Sequence, residues 1–358
     1  MEASKATVKE IARLAGVSIG TVDRVLHGRG GVSARTKTRV DGIVASLGYR
    51  PNALARQLSL NKEYCLRVVL PRADQDSGYW SLCLAGIGRA ARDLVPYRIK
   101  VKIDEFDRYD KVAYRALLED VSADPRDGVL VAPVLQEELA PVLERLGGNA
   151  GRLGGNAERG PVPYAFFDDV VEGASPVAAV SQDAFRGGYL AGRIMSLLAP
   201  EGRRFAAVNP HPGDRNIGLR VQGFEAFFRE RGRAAVAQAE CPGLESPASR
   251  DAALSRLFSG GEGIDGVLVA NAQGHAAADY LAARGGRRPA LVSWDLVPAN
   301  ARALREGTLD CVVSQRPAEQ AREALERLFR AVVHGAPSDG PAVVPLEVYF
   351  KENLPRER

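Results

Sequence analysis

Ser18, Ile19, Gly20 and Thr21 follow one another, and Arg24 comes three residues later. Short side chains at the start of a helix let its backbone approach a polar surface closely, and an arginine one turn on can reach a guanine edge or a phosphate. That is chemistry for reading a polyanion, not for breaking a bond. A second set of polar groups lies further along, each at the end of a short apolar run. Asp74, Tyr79 and Trp80 follow CLRVVLP, Asp168 or Asp169 follows PYAFF, and Asn271 closes VLVAN. Asp295 closes LVSWD and Gln315 closes DCVVSQ. Carboxylates and carboxamides hydrogen-bond hydroxyls, and an aromatic face stacks on a sugar ring. Trp80 fits equally well as a core residue at the start of a helix.

The chemistry of catalysis has no matching pattern. There is no Gly-x-Ser-x-Gly and no paired catalytic carboxylate motif. His27, His211, His275 and His334 are scattered without metal-ligand spacing. Cys65, Cys83, Cys241 and Cys311 form no Cys-x-x-Cys pair and read as reduced, mostly buried thiols. The expectation is therefore no catalytic residue, no metal and no cofactor. The stretch GGNAGRLGGNAERG contains a tandem copy, 145–151 and 152–158, identical except at its last position. It reads as a duplication in a surface loop. It is not a phosphate cradle, because no Lys-Ser/Thr follows and it does not join a strand to a helix.

Charge separates the chain into unequal parts. Residues 1–62 hold 11 Lys/Arg against Glu2, Glu10, Asp23 and Asp41, a net +7, whereas the remainder carries −3. A basic head on a slightly acidic body suits a polyanion-binding module joined to something else. No apolar run follows a basic start, and no stretch of about 20 apolar residues occurs. The reading is a cytoplasmic protein without signal peptide or membrane partner.

The elements that must carry the first set of residues are short helices. Thr7 caps the first, with Glu10 completing a capping box, and Val8, Ile11, Ala12, Leu14 and Ala15 form its apolar face. Gly16 ends it, and Val17 anchors the turn. Ser18 caps a second helix with Val22, Val25 and Leu26 inward. Ser33 caps a third with Thr36, Val40, Ile43, Val44 and Leu47 inward, ending at Gly48. Two helices across a tight turn, with a third in support, form a helix-turn-helix whose second helix enters the major groove. The alternative is a three-helix bundle without a ligand. In GYRPNALARQLS, Pro51 suits a first turn, and Ala53 to Leu58 makes one helical piece too short to stand alone. It is either an ordinary linker or a hinge helix that orders on DNA and parts a base step in the minor groove.

From Cys65 onward, strand-like and helix-like runs alternate to the end of the chain, which predicts parallel sheets covered by helices. Ligands of such sheets sit beyond the carboxyl ends of the strands, where the second set of residues lies.

Residues 7–59 resemble the DNA-binding head of the LacI/GalR family of bacterial transcription regulators. The resemblance is carried by Ala15-Gly16-Val17-Ser18, Thr21-Val22, Arg24-Val25, Val32-Ser33, Thr36, Val40, Gly48-Tyr49, Pro51-Asn52 and Ala55 through Leu58. It implies DNA contacts from Thr7, Ser18, Ile19, Gly20, Thr21 and Arg24, hinge contacts from Asn52 and Ala55, and a wedge at Leu58. Ile19-Gly20 departs from the larger polar readers common in the family, and Asp23 stands where serine is common. Residues 64–350 resemble the family's type I periplasmic-binding-protein body, two α/β lobes joined by three crossovers with a sugar-sized ligand between them. The implied fold class is α/β, an all-α head plus that two-lobed body.

The resemblance adds Arg220 to the candidate effector residues, and Ala272 replaces an aspartate that relatives often carry. Asp183 reads as a helix cap. The expected organisation is a head at 1–50, a hinge and linker at 51–63, a body at 64–350 and a tail at 351–358. Crossovers are expected near Asp168–Val171, Trp294–Pro298 and Arg316–Gln320. That gives one lobe of about 64–169 with 297–320, and another of about 171–295 with 321–350. The implied function is a ligand-responsive regulator, expected to be a repressor. It would act as a homodimer on a double-stranded DNA operator, with a sugar, sugar acid or polyol as effector. The competing readings are a cytosolic solute-binding receptor without sequence-specific regulation and, with no motif behind it, an enzyme.

Overall fold

The computed structural model describes residues 7–26, 30–47, 49, 62–147, 161–233, 236–259, 263–338 and 340–356. The chain divides into two compact units, Met1–Lys62 and Glu63–Arg358. Asn52, Ala55 and Leu58, with the rest of the expected hinge helix and most of the tandem repeat, lie outside the described residues.

The first unit holds α1 (Val8–Ala15), α2 (Ile19–Leu26) and α3 (Ala34–Ser46). Thr7 Oγ1 accepts the Glu10 N–H at 3.3 Å, and Ser33 Oγ accepts that of Thr36 at 3.3 Å. Gly16 ends α1 at φ 62°, a left-handed conformation that suits glycine. Ile11, Ala12, Ala15, Val22, Val25 and Val40 form the buried centre. Leu14 and Leu47 depart from expectation. Both are exposed, because Ile11, Ala12 and Ala15 already fill the inward face of α1 and Val40, Ile43 and Val44 that of α3.

The second unit contains β1 (Tyr64–Pro71), α4 (Tyr79–Leu94), β2 (Ile99–Phe106), α5 (Lys111–Ala123), β3 (Gly128–Val131), α6 (Gln136–Leu146), β4 (Tyr164–Asp168) and β5 (Ala178–Ser181). Then come α7 (Ala184–Leu198), β6 (Phe205–Asn209), α8 (Arg215–Arg229), β7 (Ala237–Glu240), α9 (Pro247–Phe258), β8 (Gly266–Val269) and α10 (Gly274–Arg284). The unit closes with β9 (Ala290–Trp294), α11 (Pro298–Glu306), β10 (Cys311–Ser314), α12 (Pro317–His334), β11 (Pro341–Val343) and β12 (Glu347–Tyr349). Among the described residues two six-stranded sheets result, in the orders β11-β5-β4-β3-β1-β2 and β12-β10-β9-β8-β6-β7. All pairings are parallel except β10 with β12. The central strands read as continuous apolar runs because helices cover both faces of each sheet.

Sheet membership corrects the expected lobes. The chain leaves the first sheet after Ser181, returns to it after Ser314, and leaves it again after Val343. Lobe 1 is therefore 64–181 with 317–343, and lobe 2 is 184–314 with 347–350. β5 was expected in the second lobe, yet it pairs with β4, Phe166 opposite Ala179. Its four small residues carry too little hydrophobic signal to announce a strand. α11 and β10 stay in lobe 2, since Cys311 pairs with Val292. Conversely, α12 buries Ala321, Ala324, Leu325 and Leu328 against the core of lobe 1. Asp183 caps α7, as expected, by accepting the Arg186 N–H at 2.9 Å.

Candidate functional site

In the head, the N-terminal turn of α2 is presented outward. Ser18 Oγ accepts the Thr21 N–H at 3.1 Å and shares a hydrogen bond with Thr21 Oγ1 at 2.9 Å, so the cap fixes both hydroxyls. Ser18, Gly20 and Arg24 are exposed, Thr21 is half-buried and Ile19 is 49% exposed. A Cβ on Gly20 would meet nothing closer than Ser18 Oγ at 3.8 Å. The fold of the head therefore has no steric need for glycine there.

In the body, the strand ends converge between the lobes. The segment before α4, the first turn of α4 and the end of β4 bring Asp76, Tyr79, Trp80 and Asp168 from lobe 1. α8, β8, β9 and β10 bring Asn216, Arg220, Asn271, Asp295 and Gln315 from lobe 2 and its edge. Asp168 and Asp295 both take left-handed backbone, at φ 74° and 52°. Non-glycine residues adopt that region at a cost, and such residues cluster at sites where a side chain must be aimed.

The side chains form one hydrogen-bonded set. Tyr79 OH donates to Asp168 Oδ1 at 2.6 Å and accepts from Gln315 Nε2 at 2.9 Å. Gln315 Nε2 also donates to Asp295 Oδ2 at 3.0 Å, and the Gln315 backbone N–H donates to Asp295 Oδ1 at 3.1 Å. Arg220 lies with its guanidinium carbon 4.5 Å from the centre of the Trp294 ring and donates to the Ala270 carbonyl at 3.0 Å. Among the described residues, Arg220 Nε, Asn271 Nδ2 and Gln315 Oε1 are buried without a hydrogen-bond partner.

Burial governs the charges. It pushes the Asp168 carboxyl up to about 7 against the Tyr79 hydrogen bond, with nearby Asp214 adding to the rise. It pushes Asp295 up to about 6 against the opposing charge of Arg220. Asp169, just beyond β4, rises to about 6 for the same reason. Asp76 goes the other way. Burial alone would raise it, but His211 and Arg108 outweigh that and hold it well below the usual carboxylate range.

The structure brings seven of the eight expected effector residues together: Tyr79, Trp80, Asp168, Arg220, Asn271, Asp295 and Gln315 all line one chamber. Asp74 does not join them. Its side chain is 77% exposed and lies beside Arg72. Asp76 takes the place expected of it, because the chain turns inward there, with Asp76 and Ser77 at φ 53° and 60°. Trp80 satisfies both readings, since it belongs to the lobe 1 core while its Nε1 donates to Asp76 Oδ2 at 2.8 Å. Of Asp168 and Asp169, the first faces the chamber and the second its mouth. Arg108, His211, Asp214 and Asn216 were missed. They sit in loops or a first helical turn, where only the Asp214 cap left a trace in the sequence.

The chamber is small, about 40 Å³, and opens into an outer cleft of about 550 Å³. Bonds cross between the lobes around it. Arg215 Nη1 donates to Asp169 Oδ1 at 2.8 Å, Asn216 Nδ2 to the Asp168 carbonyl at 2.9 Å, and Ser77 Oγ to Glu245 Oε1 at 2.6 Å. Arg108 bridges Asp76 and Asp214, and His211 Nε2 lies 3.0 Å from Asp76 Oδ1. Residues behind the chamber hold its walls. Asn300 donates to the carbonyls of Ala272, Trp294 and Asp295, each at 3.0 Å. Gln320 accepts the Asp168 N–H at 3.2 Å and donates to the Gln315 carbonyl at 2.7 Å.

Comparison with known proteins agrees with both units. Residues 7–52 match the model of bacterial regulatory proteins of the lacI family, and residues 68–336 match a periplasmic binding protein domain. Catabolite control protein A of Staphylococcus aureus (strain Mu50 / ATCC 700699) is 40% identical over 140 residues, 39% of this chain and 41% of that protein. The transcriptional repressor PurR of Escherichia coli O139:H28 is 28% identical over 226 residues, 63% of this chain and 60% of its own. The chain thus spans 41% and 60% of the length of these two relatives. The lac repressor dimer, solved bound to operator and the anti-inducer ONPF, has the same fold with a TM-score of 0.63 at 20% identity, covering 96% of this chain and 98% of its own. Helix-turn-helix head and two-lobed body together place this chain in the LacI family of bacterial regulatory proteins.

Proposed function

We propose that the protein is a ligand-responsive, sequence-specific DNA-binding transcription regulator, a repressor that takes a sugar or sugar-like effector between its lobes. The observation that carries this reading is the pairing, in one chain, of an outward-facing cap-and-helix turn at Ser18–Arg24 with a buried polar chamber at the strand ends. Ser18, Ile19, Gly20, Thr21 and Arg24 would meet base edges and phosphates, with Thr7, Asn52, Ala55 and Leu58 assisting. A homodimer would set two heads on a pseudo-palindromic operator in the cytoplasm.

The chamber would hold the effector through Tyr79, Trp80, Asp168, Arg220, Asn271, Asp295 and Gln315. The chamber is narrow, and bonds that cross between the lobes wall it in. Entry of a ligand must therefore move side chains or spread the lobes against the cross-cleft bonds. That gives the ligand different affinities for two states, which any switch requires.

Selection of bound sequences from a random DNA duplex pool tests the reading. A pseudo-palindrome whose binding responds to neutral sugars supports it. Binding that is only salt-sensitive and indifferent to sequence overturns it.

A further inference from the structure

Nothing in the fold of the head asks for an isoleucine at position 19. Ile19 is 49% exposed, the most exposed large apolar side chain among the described residues of the head. It belongs neither to the buried centre formed by Ile11, Val22, Val40 and their neighbours nor to the side chains packed against that centre. Helix propensity does not explain it either, because a β-branched residue is stiff at χ1 and forms helix less readily than alanine or leucine.

The neighbours of Ile19 leave it alone at the front of α2. Gly20 has no side chain, and the nearest atom to the place of a Cβ there is Ser18 Oγ, 3.8 Å away. The Ser18 and Thr21 hydroxyls are tied to each other at 2.9 Å, and Ser18 Oγ also accepts the Thr21 N–H at 3.1 Å. Ile19 is therefore the longest side chain of this turn, and it carries neither donor nor acceptor.

That chemistry chooses among base edges. In the major groove guanine shows two acceptors, cytosine an amino donor, and adenine an acceptor beside a donor. An apolar side chain laid on any of these shuts out water without replacing its hydrogen bonds, which costs binding. Thymine differs, because its C5 methyl group stands beside O4 and offers an apolar partner. Contact between that methyl and Ile19 removes apolar surface of both from water.

We propose that Ile19 reads the C5 methyl group of a thymine in each operator half-site, so that this base is specified by an apolar contact rather than by a hydrogen bond. The inference rests on α2 being the helix that enters the major groove.

The test uses the full chain and the duplex enriched from the random pool, titrated by fluorescence anisotropy. Each thymine in turn is replaced by deoxyuridine, which keeps O4 and the base pairing and loses only the methyl group. At one thymine per half-site the replacement should weaken binding about threefold to fivefold, the worth of one buried methyl. Ile19→Ala should bind the thymine and uracil duplexes equally. Its melt should match that of the parent, since Ile19 lies outside the core of the head. A second arm needs no variant to fold. With cytosine placed at the same position, methylating its C5 should strengthen binding by the parent protein. Sequence-selective binding with no thymine at which uracil matters overturns the contact and leaves the regulator reading in place. So does uracil sensitivity that persists in Ile19→Ala, or a parent protein indifferent to 5-methylcytosine. Absence of any sequence-selective binding overturns the regulator reading and this contact together.

Discussion

Gly188 of α7 lies so close to α8 that a Cβ on it would stand 1.9 Å from the carbonyl oxygen of Arg220. The contact is repeated one turn on, where a Cβ on Gly223 would stand 1.9 Å from the Phe185 carbonyl oxygen. Two glycines thus let α7 and α8 cross backbone to backbone, and that crossing sets the depth at which Arg220 reaches the chamber. Gly188→Ala should destabilise the body by about 1–3 kcal/mol in urea unfolding, because backbone cannot yield as a side-chain tip does. Gly218 lies on the same α8 with nothing within 4 Å of its would-be Cβ. Gly218→Ala should therefore stabilise by up to about 1 kcal/mol. Equal effects at the two positions would refute the packing argument.

The chamber carboxyls give stability a pH slope of definite sign. Asp168, Asp169 and Asp295 have folded values of about 7, 6 and 6, raised above the unfolded carboxylate value by burial. The folded state therefore binds more protons than the unfolded chain across this range. The stability these groups contribute is fully present below the unfolded value and is lost as pH rises through about 6 to 7. Asp76, held low by His211 and Arg108, stays ionised over the same window and does not offset the trend. The melting temperature should fall from pH 5 to pH 8. Asp168→Asn, which keeps an oxygen to accept the Tyr79 hydroxyl, should flatten that fall and melt higher than the parent at pH 8. A slope unchanged in the variant would show that Asp168 is not the group responsible.

In the head, Gly20 separates fold from readout. The space around it is open, so Gly20→Ala should leave the melting temperature of the head unchanged or raise it, gaining up to about 1 kcal/mol of helix propensity. The same change should weaken binding to the selected operator, since a methyl would hold the backbone away from the base edges. Arg24→Ala, at an exposed position, should cost about 1–3 kcal/mol of operator affinity if it reads a base. If it grips a phosphate instead, binding should weaken evenly across sequences and the salt dependence should become shallower. Fluorescence anisotropy against matched and scrambled duplexes distinguishes these outcomes.

Much of this molecule follows from local pattern. The helix caps at Thr7, Ser18 and Ser33, the stop at Gly16 and the strand-helix alternation are properties of neighbouring residues, and they can be read without coordinates. So could Asp168, Asn271, Asp295 and Gln315, because each ends an apolar run and parallel sheets collect such ends, and Tyr79 and Trp80, which follow one; Arg220, inside α8, came only from the family resemblance. What the sequence could not decide was anything resting on contacts between distant residues. Whether Asp74 or Asp76 turns inward depends on two left-handed residues that no composition reveals. The membership of β5, α11, β10 and α12 depends on pairing partners far away along the chain. Arg108, His211 and Asp214 look like ordinary loop polars until folding sets them beside Asp76. Hydrophobic periodicity records which face of an element is buried, but not against what. The charge of a chamber is a sum over residues that only the tertiary fold brings together.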